Sequence, residues 1–291
     1  MDSPVLEYAL LGLASGGVYG LVALGFVVIY RASKVFNFAM GEMMMVSAYI
    51  FYAADAVLGV GLPMALGMAL VGSIVVALLI ERFALRPMLG RPVIAILMVT
   101  FGVGTVLRGA VSLIFGGEPR QVPSILSRDP VFIGELLIPG QIARSFLIAV
   151  LVVAALVAFL KYSRAGVALK ATAADRTTAY SMGIDVAKVM ALTWVVAAIS
   201  GGLTGILIAN VNGLSPHMGV AAFSVLAVVI LGGLESIAGA LIAGLIIGML
   251  EALTSLWLGT EWREVTPYIV VLAVLLFKPT GLFGSREAER I

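Results

Sequence analysis

The stretch Ser145-Phe146-Leu147-Ile148-Ala149-Val150-Leu151-Val152-Val153-Ala154-Ala155-Leu156-Val157-Ala158-Phe159-Leu160 carries no charge, and Lys161 ends it. A helix at the surface of a soluble protein keeps one polar face for water, and this stretch has none. A helix rises about 1.5 Å per residue, so roughly 20 apolar residues cross a hydrocarbon core of about 30 Å. With its leader from Ile142, the stretch reads as a membrane-spanning helix over 142–160.

The same pattern recurs along the chain. Apolar spans read at about 5–30, 36–54, 63–80, 92–115, 142–160, 186–209, 219–232, 237–258 and 265–277. Hydrophobic residues make up 62% of the 291 and charged residues only 12%, against about a quarter charged in a soluble domain. The expected fold is therefore an all-α polytopic membrane protein, one transmembrane domain over 1–291 with about eight to nine spans. Two spans are weak. The segment 36–54 contains Asn37 and Glu42, and 219–232 is short and ends in Gly232-Gly233. Each reads as a full crossing or as a half-helix, and a broken segment in each half implies related halves.

Lys and Arg in short loops set orientation, because they are retained on the cytoplasmic side. Arg31 and Lys34 follow the first span; Arg82, Arg86 and Arg91 precede the fourth. Lys161, Arg164, Lys170 and Arg176 follow the fifth, and Lys278, Arg286 and Arg290 close the chain. These place the C-terminus inside and the N-terminus outside. The loop 116–141 falls on the outer side, where Arg120 and Arg128 are countered by Glu118, Asp129 and Glu135. Its runs Val131-Phe132-Ile133 and Leu136-Leu137-Ile138, broken by Gly134 and Pro139, form either a short hairpin or a plain connector. The opening residues Asp2 and Glu7 lack the basic character of a cleavable signal peptide. A net charge of +2 does not suggest a nucleic-acid partner, and with no cysteine there is neither a disulfide nor a thiolate metal site. Glycines recur every fourth residue at Gly12, Gly16 and Gly20, at Gly201 and Gly205, and at Gly244 and Gly248. Each set forms a smooth helical stripe suited to close packing in lipid.

Catalytic signatures are missing: there is no phosphate-binding G-x-x-x-x-G-K-[ST] loop, no H-E-x-x-H and no G-x-S-x-G elbow. The one histidine, His217, sits in the turn Asn212-Gly213-Leu214-Ser215-Pro216-His217 without visible ligand partners. The chain reads as a non-enzyme with no cofactor of its own. Polar residues and glycine interrupt the apolar pattern in Asn37-Phe38-Ala39-Met40-Gly41-Glu42 and in Leu231 to Ala240, which holds Gly232, Gly233, Glu235 and Ser236. Irregular backbone is tolerated at membrane depth only where protein encloses it. Asn37, Phe38, Gly41, Glu42, Gly232, Gly233 and Ser236 are therefore candidates for a substrate pathway, or else both segments lie at the membrane surface where charge is cheap.

The segment 161–185 is cytoplasmic by charge and too polar to cross. Its alanine content predicts a helix over 166–183 that Gly183 ends. Ala171, Ala174 and Thr178 would share one face, either as a docking surface for another protein or as an amphipathic helix on lipid. Lys170, Asp175 and Arg176 would orient it, with Ala179 completing the candidate coupling set.

These segments resemble the LivH-type permease subunits of ABC importers for branched-chain amino acids. Gly12 to Tyr30 follows the pattern G-x-x-x-G-x-x-Y-x-L-x-A-x-G-x-x-x-I/V-Y, and Asn37-Phe38-Ala39-Met40-Gly41-Glu42 follows N-F-A-x-G-E. Ala171-Thr172-Ala173-Ala174-Asp175, Ala179 and Gly183-Ile184 match the cytoplasmic block; Leu231 to Gly244 and Pro279 to Gly284 match two further blocks. Met40, Ala174 and Ala243 depart from the commoner residues. The resemblance implies a second homologous permease subunit, two cytoplasmic ATPase subunits that use ATP and Mg, and a periplasmic substrate-binding protein. It also implies a bacterial inner membrane location, and makes 166–183 the coupling helix. An ion-coupled secondary transporter of a small polar solute remains the alternative, kept open by Glu42 and Glu235.

Overall fold

The computed structural model describes residues 3–88, 90–122, 125–133 and 136–284. Asp2, Gly134, Glu135, Arg286 and Arg290 lie outside the described residues. Every apolar span of the sequence is a helix: α1 (Ser3–Ser33), α2 (Met40–Tyr52), α3 (Leu62–Leu79), α4 (Val93–Phe115), α5 (Gly140–Tyr162), α8 (Val186–Asn212), α9 (Ala221–Gly232), α10 (Ile237–Leu258) and α11 (Thr266–Phe277). Two short helices, α6 (Arg164–Ala174) and α7 (Arg176–Ser181), fill the gap after α5. Among the described residues, six helices are long and apolar enough to cross a membrane, and α9 and α11 are shorter apolar helices. With 12 residues each, α9 and α11 reach about 18 Å, little more than half of a hydrocarbon core. The half-length of α9 matches its reading as a half-helix. That of α11 was not anticipated.

The bundle is organised around α1 and α8. The 31 residues of α1 rise about 46 Å, longer than a bilayer core is thick, so α1 tilts or extends past the boundary. It packs against α10, α8, α5 and α9, while α8 also holds α2 and α3. Leu21, Val22, Ala23, Leu24, Val27 and Val28 are all fully enclosed. By contrast α4 and α5 turn large apolar side chains outward, among them Val106, Leu113, Leu147 and Leu151. In lipid such a face carries no hydrophobic penalty.

The glycine stripes of α1 and α10 pair with each other. A Cβ at Gly12 would fall 2.5 Å from the Gly248 carbonyl oxygen, and one at Gly244 would fall 2.8 Å from that of Gly16. Thus α1 and α10 touch backbone to backbone along reciprocal small faces. The stripe on α8 meets α2, with Gly201 against Met40 and Gly205 against the Met44 backbone.

In the outer-loop region Val131–Ile133 and Leu136–Ile138 pair antiparallel, Val131 opposite Ile138. The hairpin alternative is the one realised. The helix expected over 166–183 requires correction: it is two helices with a corner at Asp175, whose φ of −156° and ψ of 116° are extended. The Asp175 carboxylate accepts the Thr178 backbone N–H at 2.7 Å. Alanine content favoured continuity, but an aspartate able to cap a new helix offered the backbone an alternative and won. Gly183 closes the segment at φ +82°, the left-handed position that glycine adopts without steric penalty.

Candidate functional site

The chain leaves α1 through Lys34 at φ 58°, and Val35 to Ala39 cross to α2 without helical structure. Asn37 manages the crossing. Its side-chain oxygen accepts the Ala39 backbone N–H at 3.0 Å, its carbonyl accepts from Met40 N, and its amide nitrogen faces Met43 Sδ at 3.6 Å. The Phe38 N–H is taken up by Thr100 Oγ of α4 at 3.3 Å. Backbone groups that a helix would satisfy are thus bonded by side chains, which is how irregular backbone survives inside a membrane protein.

Asn37 stands between two cavities. One, of about 200 Å³, opens toward the basic end and is lined by Lys34, Phe36, Asn37, Thr100 and Trp194 among others. The other is small and is walled by Phe36, Asn37, Phe38, Ala222 and Phe223. The rings of Phe38 and Phe223 lie 6.4 Å apart. Trp194 is wholly buried, and its indole N–H has no hydrogen-bond partner among the described residues. Trp194 was not singled out in the sequence.

Gly41 and Glu42 serve this segment differently. A Cβ on Gly41 would meet Ala222 Cβ at 2.8 Å and press on the Gly219 carbonyl. Gly41 is therefore a packing contact with the turn before α9, and leaves no open wall for a solute. Glu42 is buried and forms an ion pair with Arg108 of α4. Arg108 also escaped the sequence reading, although a lone arginine inside an apolar span is a signal in itself, since an intramembrane charge needs a partner.

The second Gly-interrupted segment lies elsewhere. Gly232 abuts the Gly239 and Ala240 backbone, Gly233 (φ +98°) abuts Gly284, and Ser236 caps α10 by accepting from Gly239 N at 2.9 Å. The Gly284 contact belongs to a clasp in which Leu282 N donates to Leu231 O and Phe283 N to Gly232 O. Glu235 pairs with Lys34, and its carbonyl accepts from Arg31 Nε. Gly232, Gly233 and Ser236 thus build the α9–α10 turn at the basic end of the bundle.

That same end carries α6 and α7. Arg176 donates to the Ala32 carbonyl at the end of α1, and Lys170 and Ala174 border a recess shared with Arg31, Lys34 and Glu235. Ser163 caps α6 through Gly166 N at 3.0 Å, and Asp185 caps α8 through Lys188 N at 3.1 Å. Backbone N–H donation from Thr178 and from Lys188 holds the Asp175 and Asp185 carboxyls below the ordinary carboxylate range. Ala171 is partly covered, Ala174 and Thr178 are exposed, and Ala179 is buried. Val167 of α6, Tyr180 of α7 and Met182 just after it are 61%, 74% and 79% exposed.

His217 is exposed in the turn before α9, and among the described residues no cluster of His, Cys, Asp or Glu could hold a metal. At the opposite end Tyr19, Glu251 and Arg263 meet. Tyr19 Oη donates to Glu251 Oε2 at 2.8 Å, and Arg263 Nε lies 3.5 Å from the same oxygen. Glu251 is an acid inside an apolar span and was legible on that ground, yet the sequence reading considered only Glu42 and Glu235.

A bundle of apolar helices, several long enough to cross a membrane and joined by irregular polar breaks, fits a polytopic membrane permease. One solved structure, PsaBC from Streptococcus pneumoniae in complex with Fab, superposes with a TM-score of 0.50 at 15% identity, over 95% of this chain and 94% of that one; it shows the fold alone. The family model described as branched-chain amino acid transport system / permease component matches residues 8–275. This chain is 34% identical to the high-affinity branched-chain amino acid transport system permease protein LivH of Escherichia coli K12, over 96% of each chain. It is 31% identical to the permease protein BraD of Pseudomonas aeruginosa, over 98% of each. The chain belongs to the branched-chain amino acid transport permease family.

Proposed function

We propose that this chain is one of two membrane-spanning subunits of an ATP-driven importer in a bacterial inner membrane, carrying branched-chain or related small amino acids. A periplasmic binding protein delivers the solute, a second homologous permease completes the path, and two cytoplasmic ATPases hydrolyse ATP with Mg. The observation that carries this reading is near full-length kinship with permeases of that name. The ion-coupled alternative loses its footing, because Glu42 and Glu235 are both already paired with cations.

Within this reading, Asn37 and Phe38 are the pathway residues. They close the cytoplasmic cavity against the Phe223 side, while Gly41 and Glu42 hold them in place. Lys170, Ala171, Ala174, Asp175, Arg176, Ala179 and Gly183 form the ATPase-coupling segment. Its bond from Arg176 to the Ala32 carbonyl supplies a mechanical link from a docked ATPase to the end of α1.

Ala174→Trp tests the coupling role. Ala174 is exposed at the edge of an open recess, so a larger side chain has room and the fold should stand. The expected outcome is loss of ATPase copurification and of uptake, with the permease still in the membrane. Unchanged assembly and uptake would refute a docking role, since a helix resting on lipid accepts tryptophan at the interface.

A further inference from the structure

The cavity of about 200 Å³ at the basic end is walled by residues of α1, α4 and α8. Cations from three separate stretches of chain converge on it: Lys34 after α1, Arg86 and Arg91 before α4, and Arg176 at the start of α7. Among the described residues Glu81 is the one carboxylate on its wall. The retention of basic residues in cytoplasmic loops sets their side of the membrane, and nothing in it gathers them around one hollow.

Three of the four cations are held in place. Glu81, 5% exposed, grips Arg86 through both carboxylate oxygens at 3.2 Å. Lys34 is bonded to Glu235, and Arg176 donates to the Ala32 carbonyl. A neutral carbonyl fixes a guanidinium without cancelling its charge. Arg91 is exposed, and neither it nor Arg176 forms an ion pair with a carboxylate among the described residues. Two positive charges at this cavity therefore have no countercharge within the chain.

The surroundings strengthen their field. Ile29, Phe36 and Trp194 give the cavity apolar walls, and a cleft of one charge sign with walls of low dielectric focuses its potential. Helix α4 begins at Val93 on the same wall, with no acidic residue in its first turn. The partial positive charge of that helix end adds to the same sign. Val93 and its neighbour Ile94 also turn exposed apolar side chains outward here, a surface suited to acyl chains.

We propose that this cavity binds one anionic phosphate group, carried by a phospholipid head group or free in solution. Arg91 and Arg176 take the phosphate oxygens, because two guanidinium forks from different segments match an anion with several oxygens better than a planar carboxylate. Basic pockets between membrane helices on the cytoplasmic side bind anionic head groups in this way. Glu81 is a positioning residue that acts through Arg86. The site goes beyond the importer reading and does not depend on it, since these charges stand whatever solute passes.

Trp194 supplies a local readout, because Trp257 and Trp262 are exposed at the opposite end of the bundle. The full-length chain carrying Trp257→Phe and Trp262→Phe is titrated in detergent at constant ionic strength, and Trp194 emission is followed. Three probes are used: dihexanoyl phosphatidylglycerol, its zwitterionic phosphatidylcholine counterpart, and inorganic phosphate. Saturable change is expected with phosphatidylglycerol, and at least tenfold weaker response to phosphatidylcholine. Arg91→Gln should weaken binding by about tenfold, the loss of one hydrogen bond to a charged group. Arg91 is exposed and outside every helix, so its loss should leave the fold and the melting temperature intact. Arg164→Gln removes the same charge from an exposed position of α6 that does not line this cavity, and should bind like wild type. An equal response to inorganic phosphate identifies free phosphate as a sufficient ligand; silence there with a response to phosphatidylglycerol identifies the lipid head group. Absence of saturable change with both anions, wild-type affinity in Arg91→Gln, or equal weakening in Arg164→Gln overturns the site.

Discussion

At the residue scale, the pair Glu42–Arg108 shows how charge is made tolerable at depth. Glu42 is nearly enclosed, whereas the Arg108 side chain is 35% exposed. Breaking a buried pair leaves an uncompensated charge and costs about 3–5 kcal/mol; partial exposure of Arg108 puts this case at the low end. Glu42→Gln or Arg108→Gln alone should destabilise by about 3 kcal/mol, and the double variant should recover most of it. Thermal unfolding of the purified protein checks this, and additive losses would show that the two side chains do not interact. Half of this pair was legible, since Glu42 stands out in its motif. Its partner lies 66 positions away, and no local pattern joins two such residues. Gly41 teaches the converse. Its lack of a side chain invited a pathway role, and only the neighbouring backbone of Gly219 shows that the missing Cβ serves packing. Gly41→Leu should therefore lower the amount of folded protein; a well-folded variant with abolished uptake would return Gly41 to the pathway.

At the scale of elements, the glycine stripes and the α6–α7 corner behave in opposite ways. Stripes at four-residue spacing announced close helix contact from sequence alone, because periodicity in a helix is geometry. Which stripe meets which was not announced. Gly244→Leu should part α1 from α10 and lower the melting temperature, while the same change at Gly102, which has nothing within 4 Å, should leave it nearly unchanged. The corner at Asp175 was misread as continuous helix because alanine propensity summed over the window outweighed one cap residue. Asp175→Asn keeps a capping oxygen and should preserve uptake, whereas Asp175→Ala should weaken the corner and ATPase attachment. Since hydrogen bonds hold the folded carboxyl of Asp175 below its unfolded value, the stabilisation it contributes is present above that unfolded value. It is lost as pH falls through the depressed folded one. Acid titration of ATPase attachment should show this loss in wild type, and Asp175→Asn should lack the Asp175 contribution.

At the scale of the whole molecule, the basic residues gather at one end. Lys34, Arg86, Arg91 and Arg176 border one cavity, and Arg31, Lys34 and Lys170 border the recess beside α6. Arg120, paired with Leu214, lies with the outer hairpin and the Asn210–Gln141 contact at the other end. A cysteine at Ser127 should react with an impermeant thiol reagent added outside intact cells, and one at Ser181 should not; labelling of both from outside would overturn this topology. The membrane itself, the positions of the apolar helices and the polar breaks were determined by the sequence, because hydrocarbon favours apolar helices and penalises each exposed polar group locally. The tertiary structure alone decided which breaks carry a cavity and how Glu42 and Glu251 are compensated. Those relations join helices far apart in the chain. Packing sets them, through close backbone contacts that composition and periodicity permit but do not specify.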